Sequence, residues 1–167
     1  MALAWVAIFA LGLVIVGQRH RLLPIWEDTR DALFGRDQHV VGSTVRITMA
    51  SDGHFWATAR INGVARRMLI DSGATTTALS TASAVATHVA IDDGPFAAAI
   101  ETANGPVQAQ RGRIALLELG GIVARDLPVV VAPEFGDMDV LGMNFLSQLA
   151  SWRVEGNILI LDPKPKA

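Results

Sequence analysis

The chain contains no cysteine, and its basic and acidic residues nearly balance. Its 167 residues include 14 Lys and Arg against 16 Asp and Glu, for a formal net charge of -2. The absence of cysteine excludes disulfides, thiolate metal ligands and a cysteine nucleophile. Because there is no basic excess, we expect no nucleic-acid partner. The histidines His20, His39, His54 and His88 are scattered without the spacing of metal ligands, so no metal site is expected.

Charged side chains are also absent from residues 2–17, which are almost wholly apolar. Gln18-Arg19-His20-Arg21 follows this run. A spanning helix needs roughly 20 apolar residues, with about 17 as the lower limit. A secretory signal peptide has a basic n-region and a small-residue cleavage site, and neither is clear here. The sequence therefore predicts a retained transmembrane anchor at residues 1–18, with a cleaved signal peptide as the alternative.

Residues 19–43 connect this segment to the rest of the chain. Apolar residues recur at helical spacing over 22–34, which fits either an amphipathic helix at the membrane surface or a solvated linker. Residues 35–43 are expected to continue the linker. Arg19 and Arg21, which follow the apolar run, favour a cytoplasmic location for the remainder by the positive-inside rule.

After residue 43 the pattern becomes that of a β protein. Residues 44–50 alternate between apolar and polar, and residues 54–61 and 64–70 flank Asn62-Gly63, a strong hairpin signal. The further elements predicted are strands at 96–102, 107–119, 122–124 and 127–132, helices at 80–90 and 144–150, and a closing hairpin of 152–154 with 158–161. Many short strands with two small helices indicate a small, mainly β domain over residues 44–163.

The second arm of the Asn62-Gly63 hairpin leads directly into residues 68–75, MLIDSGAT. An apolar strand thus delivers one carboxylate, Asp71, onto a turn of small residues. Gly73 allows backbone N–H groups to approach the carboxylate, Ser72 supplies a hydroxyl that can hold the loop, and Ala74 leaves room for a substrate backbone. Asp71-Ser72-Gly73 alone is equally explained as a turn capped by an aspartate.

Three segments together resemble the retropepsin-like aspartic proteases, a single-domain family that includes retroviral proteases and membrane-anchored bacterial relatives. Residues 69–75, which end at Ala74 and Thr75, look like the active-site loop of the family. Residues 139–146 look like its second signature, in which Val140, Leu141 and Gly142 lead into a helix. Residues 102–106, with Ala103, Asn104, Gly105 and Pro106, fall where the family places the flap over its substrate.

The resemblance implies a closed retropepsin-type β barrel of six or seven strands with a short helix on its C-terminal side. It also implies a membrane-anchored aspartic endopeptidase that acts as a homodimer on peptide or protein substrates and needs no cofactor. One Asp71 from each chain would form the catalytic pair, because the mechanism needs two carboxylates that share a proton. The terminal strands, notably 158–161, would build the dimer interface, as they do in the family.

The bacterial branch of the family favours a periplasmic domain attached to the inner membrane, against the indication from Arg19 and Arg21. Thr75 and Met143 stand where retroviral members often have an acidic residue and an arginine, so retroviral subsite preferences do not carry over. The alternative from another functional class is a non-catalytic, membrane-tethered β domain that binds a peptide or partner protein in the flap cleft.

Overall fold

A computed structural model describes residues 38–92, 98–102 and 105–165. These residues belong to one compact unit of the chain, Asp37–Ala167. The predicted anchor at 1–18 and the predicted helix or linker up to residue 37 lie outside the described residues. Within the described ranges, no helix has the length and apolar character needed to cross a membrane.

The described residues form mainly β-strands. The strands are β1 (Gln38–Val41), β2 (Thr44–Thr48), β3 (Trp56–Ile61), β4 (Val64–Ile70), β5 (Thr77–Ser80), β6 (Ala90–Ile91), β7 (Ala98–Thr102), β8 (Gly105–Leu119), β9 (Ile122–Ala132), β10 (Val140–Leu141), β11 (Ser151–Glu155) and β12 (Ile158–Asp162). The helices are α1 (Thr81–Ala86) and α2 (Met143–Leu146), with a 3₁₀ turn at Pro133–Phe135.

The first sheet has four antiparallel strands in the order β1-β2-β12-β11. The second sheet follows the order β3-β4-β10-β5-β9-β8-β6, with β7 added on β8. Since β3 also pairs with β8, the hydrogen-bonded path returns to its first strand. More strands are present than the six or seven predicted, in part because β6 and β10 are only two residues long.

The hairpins predicted from the sequence are confirmed where they fall within the described residues. Asn62 and Gly63 join β3 to β4 with φ values of 49° and 86°, which is the conformation that a two-residue primed turn requires. The loop between β8 and β9 is Gly120-Gly121, because Leu119 pairs with Ile122. Segments 122–124 and 127–132, predicted as two strands, form the single strand β9.

Both helices are shorter than predicted. The hydroxyl of Ser80 caps α1 by accepting from the N–H of Ser83, as its sequence position predicts. The helix ends at Ala86 because His88 adopts a left-handed conformation with φ of 51°, and Val89 N–H donates to Ala84 O in a Schellman arrangement. Helix α2 ends at Leu146, after which the chain turns into β11.

Two other expectations differ from the structure. Residues 38–41 were predicted to lie in a linker, but they form β1, which pairs with β2. The terminal strands, notably β12, were expected to build the dimer interface, but β12 itself is paired on both sides within the chain, with β2 and with β11. Leu159 and Leu161 of this strand are buried in the main core, so β12 has neither a free edge nor an accessible apolar face.

The main core joins the two sheets. Val45 and Ile47 of the first sheet are buried in the same cluster as Met68 of β4 and Phe145 of α2. A smaller cluster lies elsewhere, around Val130 and Ala132 of β9. The core thus fixes the end of β4 and the start of α2 relative to each other, and the residues predicted to form the site lie at these two points.

Candidate active site

Asp71 is the first residue after β4, and its position is set by the strand beside it. Strand β10 runs parallel to β4, with Val140 opposite Leu69 and Leu141 opposite Ile70. The N–H of Asp71 donates to Leu141 O over 3.0 Å. The active-site loop and the second signature, 70 residues apart in the sequence, are therefore neighbours through backbone pairing.

The carboxylate of Asp71 is oriented by its own loop. The N–H of Gly73 donates to Asp71 Oδ1 over 2.7 Å, and the N–H of Ala74 donates to Asp71 O over 3.3 Å. A Cβ on Gly73 would lie 3.1 Å from the same Oδ1, closer than an ordinary contact. Asp71 is half-buried, while Ser72 and Gly73 are exposed. The loop therefore presents a fixed carboxylate at the surface of the protomer.

Gly142 packs directly beneath this loop. A Cβ at Gly142 would lie 2.7 Å from Ala74 O and 2.8 Å from Thr76 O, so a larger residue cannot occupy this position without moving the loop. The loop carbonyls also accept from the first turn of α2, because Met143 N–H donates to Ala74 O over 2.7 Å and Asn144 N–H donates to Thr75 O over 3.1 Å. N–H groups in the first turn of a helix have no acceptor within the helix, and here the loop carbonyls supply the acceptors.

Asn144 extends the same support through its side chain. Its Oδ1 accepts from both the N–H and the hydroxyl of Thr77, over 2.9 and 2.8 Å. Its Nδ2 donates to Pro128 O of β9 over 2.7 Å. The side-chain amide of Asn144 thus connects α2 to β5, through Thr77, and to β9, through Pro128.

Asp139 is a further supporting residue that the sequence reasoning missed. Its side chain is buried, Oδ1 accepts from Ser80 N–H over 2.9 Å, and Oδ2 accepts from the Ser83 hydroxyl. Its backbone carbonyl accepts from the N–H of Leu69. Asp139 therefore joins α1, β10 and the end of β4. The sequence signal that could have identified Asp139 is its position directly before the apolar pair Val140 and Leu141 of the second signature.

The flap candidate is a hairpin of β7 and β8. Thr102 pairs with Gly105, and Gly105 has a φ of 105°. Ala103 and Asn104 lie outside the described residues, and Pro106 is an exposed residue of β8. The arms of this hairpin approach the second signature, because Ile100 and Val107 pack on the same small apolar cluster as Val140 and Phe135.

A polar turn lies beside the other flank of the active-site loop, where Phe55 O accepts from the N–H of Ile70. Asp52 accepts from Trp56 Nε1 over 2.8 Å and from the N–H of His54 over 2.9 Å. These two hydrogen bonds lower the pKa of Asp52. The guanidinium of Arg67 lies over the Trp56 ring at 4.3 Å. The hydrogen bonds of Asp52 hold this turn in place, and the bond between Phe55 and Ile70 places the turn next to Asp71.

The arrangement offers one oriented carboxylate and backbone donors, which are groups that can serve in acid and base catalysis. Within the described ranges, no three His, Asp or Glu side chains cluster closely enough to hold a metal ion. The structure brings together Asp71, Ser72, Gly73, Ala74 and Thr75 with Val140, Leu141 and Gly142. It leaves the flap tip outside the described residues.

The fold and site define the class as aspartic protease, and comparison with known proteins agrees. A solved retropepsin-like aspartic protease from Rickettsia conorii is similar over 72% of this chain and 90% of its own, with 25% identity and a TM-score of 0.63. The EIAV protease in complex with an inhibitor covers 65% of this chain and 100% of its own, with 21% identity and a TM-score of 0.54. The latter likeness concerns the fold alone.

The sequence profile of the family described as "gag-polyprotein putative aspartyl protease" matches residues 57–148, which is more than half of the chain. The chain belongs to this family, and its retropepsin-like fold agrees with the resemblance found in the sequence. A protein of Sinorhizobium sp., described as uncharacterized and encoded in the cobV 5′ region, is 34% identical over 99 residues. That match covers 59% of this chain and 42% of the relative, so the chain spans less than half of the relative's length.

Proposed function

We propose that this chain is an aspartic endopeptidase that acts as a homodimer, with Asp71 of each protomer as a catalytic residue. The observation that carries the proposal is the half-buried, oriented carboxylate of Asp71, which accepts a 2.7 Å hydrogen bond from Gly73 N–H. Membership of an aspartyl protease family supports the choice of reaction. These 167 residues contain one such loop, and the proposal takes the other carboxylate from a second copy of the chain.

In the proposed reaction, the two carboxylates divide the roles of base and acid. The ionised Asp71 removes a proton from a water molecule as the water attacks the peptide carbonyl, and the protonated Asp71 of the other chain donates to the carbonyl oxygen. Two carboxylates about 3 Å apart cannot both ionise, so the pair holds one proton between them. Ser72 and Gly73 position the pair through the loop backbone.

The substrate of the proposed enzyme is an extended peptide covered by the flap hairpin. Exposed strand edges bind peptides through main-chain hydrogen bonds, and Gly105 and Pro106 begin the long strand β8 of this hairpin. Ala103 and Asn104 would complete the tip over the substrate. We infer apolar contacts for the substrate side chains, because Ile100 and Val107 pack beside Val140 near the loop.

The test compares Asp71→Asn with the wild-type chain in a peptide-cleavage assay. Asn has nearly the same shape and cannot act as the base, so cleavage should vanish while the fold and any peptide binding remain. Asp92→Asn, at an exposed position after β6, is the control and should cleave normally. Peptide binding without cleavage by the wild type would instead favour a non-catalytic binding domain.

We also propose that residues 1–18 anchor the chain in a bacterial inner membrane, with the protease domain in the periplasm. The apolar run of residues 2–17 supports the anchor, and tethering in one membrane would raise the effective concentration of a weak dimer. Protease treatment of spheroplasts tests the orientation. Digestion of the domain in intact spheroplasts is expected, whereas protection until lysis would favour the cytoplasmic side, as Arg19 and Arg21 suggest.

A further inference from the structure

His54 faces Asp71 in the register of β3 and β4. The two strands are antiparallel, and just before the start of β3 the N–H of Ile70 still donates to Phe55 O over 2.9 Å. Because the register continues through this hydrogen bond, the next residues that face each other are His54 and Asp71. Residues that face each other on antiparallel strands have Cβ atoms about 5 Å apart.

The side chains of His54 and Asp71 also lie on the same side of the two strands. Successive side chains of an extended segment alternate between its faces, and Phe55 and Ile70 pack against the main core. Their neighbours His54 and Asp71 therefore lie on the opposite face, where His54 is exposed and Asp71 is half-buried. The imidazole of His54 thus borders the proposed catalytic carboxylate.

Asp52 holds His54 through both the backbone and the ring. The N–H of His54 donates to Asp52 Oδ1 over 2.9 Å, and Nδ1 of the ring lies 3.5 Å from the same oxygen. The other oxygen, Oδ2, accepts from Trp56 Nε1 over 2.8 Å. The hydrogen bonds from Trp56 and His54 lower the pKa of Asp52, so this carboxylate stays ionised in mild acid. Asp52 therefore binds the Nδ1 side of the imidazole and leaves Nε2 for another partner.

The polar groups that remain beside this turn are hydrogen-bond donors. Within the described residues, the ring of His54 has no polar partner except Asp52. The exposed guanidinium of Arg67 rests on the Trp56 ring at 4.3 Å and has no ion pair among the same residues. Both oxygens of Asp52 already accept hydrogen bonds. The group that suits this surface is therefore an acceptor, and a carboxylate forms the strongest hydrogen bonds with charged donors.

The net charge beside the turn depends on the protonation of His54. The charged groups that neighbouring elements bring towards this residue are Asp52 from its own turn, Arg67 from β4 and Asp71 from the loop after β4. Asp71 shares a proton with its counterpart in the proposed pair. When His54 is protonated, the ring and Arg67 together outweigh the negative charge of Asp52, and when His54 is neutral, Arg67 and Asp52 balance. Histidine is the side chain that changes charge between about pH 5 and pH 8.

From these observations we infer that His54 determines substrate specificity, because its charged ring binds an acidic side chain of the peptide. Nε2–H of His54 donates to a Glu or Asp carboxylate of the substrate while Asp71 acts on a nearby peptide bond. Each residue of an extended peptide spans about 3.3 Å, so the acidic residue lies within about three positions of the scissile bond. The preference exists in mild acid and is lost when His54 becomes neutral. This inference rests on the proposed function.

The first test uses pairs of cleavable peptides that differ only by Glu or Gln at one position within three residues of the scissile bond. At about pH 5.5 the full chain should cleave the Glu peptide of at least one pair with a kcat/KM about fivefold higher, the upper end of what an exposed ion pair provides. His54→Gln should cleave both members equally. His39→Gln, at an exposed position of β1, is the matched control and should keep the preference. An equal preference in His54→Gln and wild type, or none in wild type, would overturn the inference.

The second test follows the same ratio of kcat/KM values as the pH is raised. In the wild type the ratio should fall towards one between about pH 5.5 and pH 8, because His54 loses its charge in this range. His54→Arg carries a permanent charge and should keep the preference for Glu at both pH values. A ratio that falls equally in His54→Arg and wild type would mean that another group titrates, and it would contradict the role of His54.

The two proposals can fail separately, because binding can be measured without cleavage. The Kd values of the same Glu and Gln peptides are compared for Asp71→Asn with and without His54→Gln. If the wild type cleaves no peptide but Asp71→Asn binds the Glu peptide more tightly and loses this preference with His54→Gln, the acidic subsite stands and the protease function falls. If the wild type cleaves the Glu and Gln peptides of every pair equally, the protease function stands and the subsite is wrong.

Discussion

Gly142 and Ala74 are in contact through backbone atoms, and no side chain can be placed between them. A Cβ at Gly142 would lie 2.7 Å from Ala74 O, while the next residue, Met143, donates its N–H to the same oxygen over 2.7 Å. The carbonyl of Ala74 therefore fixes the distance between α2 and the loop that carries Asp71.

Gly142→Ala is predicted to displace the loop and reduce both stability and activity. Overpacking of this kind costs about 1–3 kcal/mol of unfolding free energy, measurable by urea denaturation. Gly121→Ala is the control, since its Cβ would meet only Ser43 O at 3.8 Å and should change stability by less than about 0.5 kcal/mol. Equal unfolding free energies of Gly142→Ala and Gly121→Ala would show that the loop moves without loss of stability and would contradict the prediction.

Gly73→Ala is predicted to reduce cleavage with little change in stability. Its Cβ would lie 3.1 Å from Asp71 Oδ1, and the carboxylate would have to turn away from the N–H that now orients it. Misplacement of a catalytic group by about 1 Å can lower the rate about a hundredfold, so we expect a fall in kcat of at least about tenfold. A kcat equal to wild type would contradict the proposed role of this hydrogen bond.

Asp139→Ala is predicted to destabilise the chain strongly, because it leaves Ser80 N–H and the Ser83 hydroxyl without their buried acceptor. The loss of such partners costs about 1–3 kcal/mol. Asp139→Asn keeps one oxygen acceptor and should cost less. Asp137→Ala, at an exposed position two residues away, is the control. Thermal unfolding should rank wild type and the control above Asn, and Asn above Ala.

A stability contribution from Asp162 is predicted to depend on pH. The hydroxyls of Thr44 and Ser151 and the guanidinium of Arg153 donate to this carboxylate and lower its pKa below the ordinary value of 3.8. Since the pKa is lower in the folded chain than in the unfolded chain, the contribution is present above the unfolded value and is lost as pH falls through the folded value.

The measurement compares the unfolding free energies of wild type and Asp162→Asn between about pH 6 and pH 2. Their difference should be constant at the higher pH and shrink as the medium becomes more acidic than the ordinary carboxyl pKa. Thr44→Val removes the donor that lowers the pKa of Asp162 most. This substitution should therefore reduce the change of that free-energy difference with pH. A difference that does not change with pH would refute the assignment.

Features set by neighbouring residues could be predicted from the sequence. The hairpin at Asn62-Gly63 is one, because both residues readily take the positive φ values that this turn requires. The Ser80 cap is another, since donor and acceptor are three residues apart. Asp71 and Gly142 are far apart in the chain, and only resemblance to a family marked both positions as parts of one site.

Features that depend on distant residues could not be predicted. The Ser83 hydroxyl and the Asp139 carboxylate are 56 positions apart, and nothing local to either residue indicates the other. The pairing of β12 with β2 could not be predicted either, because β2 lies more than 100 residues earlier in the chain. The early end of α1 was missed for a different, local reason: it depends on a left-handed His88, a residue type that seldom ends a helix in this way.

The central claim is that one active site needs Asp71 from two chains. The most direct measurement mixes wild-type and Asp71→Asn chains in varying ratios, lets the subunits exchange, and follows cleavage at constant total protein. If both carboxylates are needed, activity should fall with the square of the wild-type fraction, to about one quarter at equal amounts, since the pair works only when both members are acids. A linear fall, to about one half, would mean that each chain acts alone and would contradict the account.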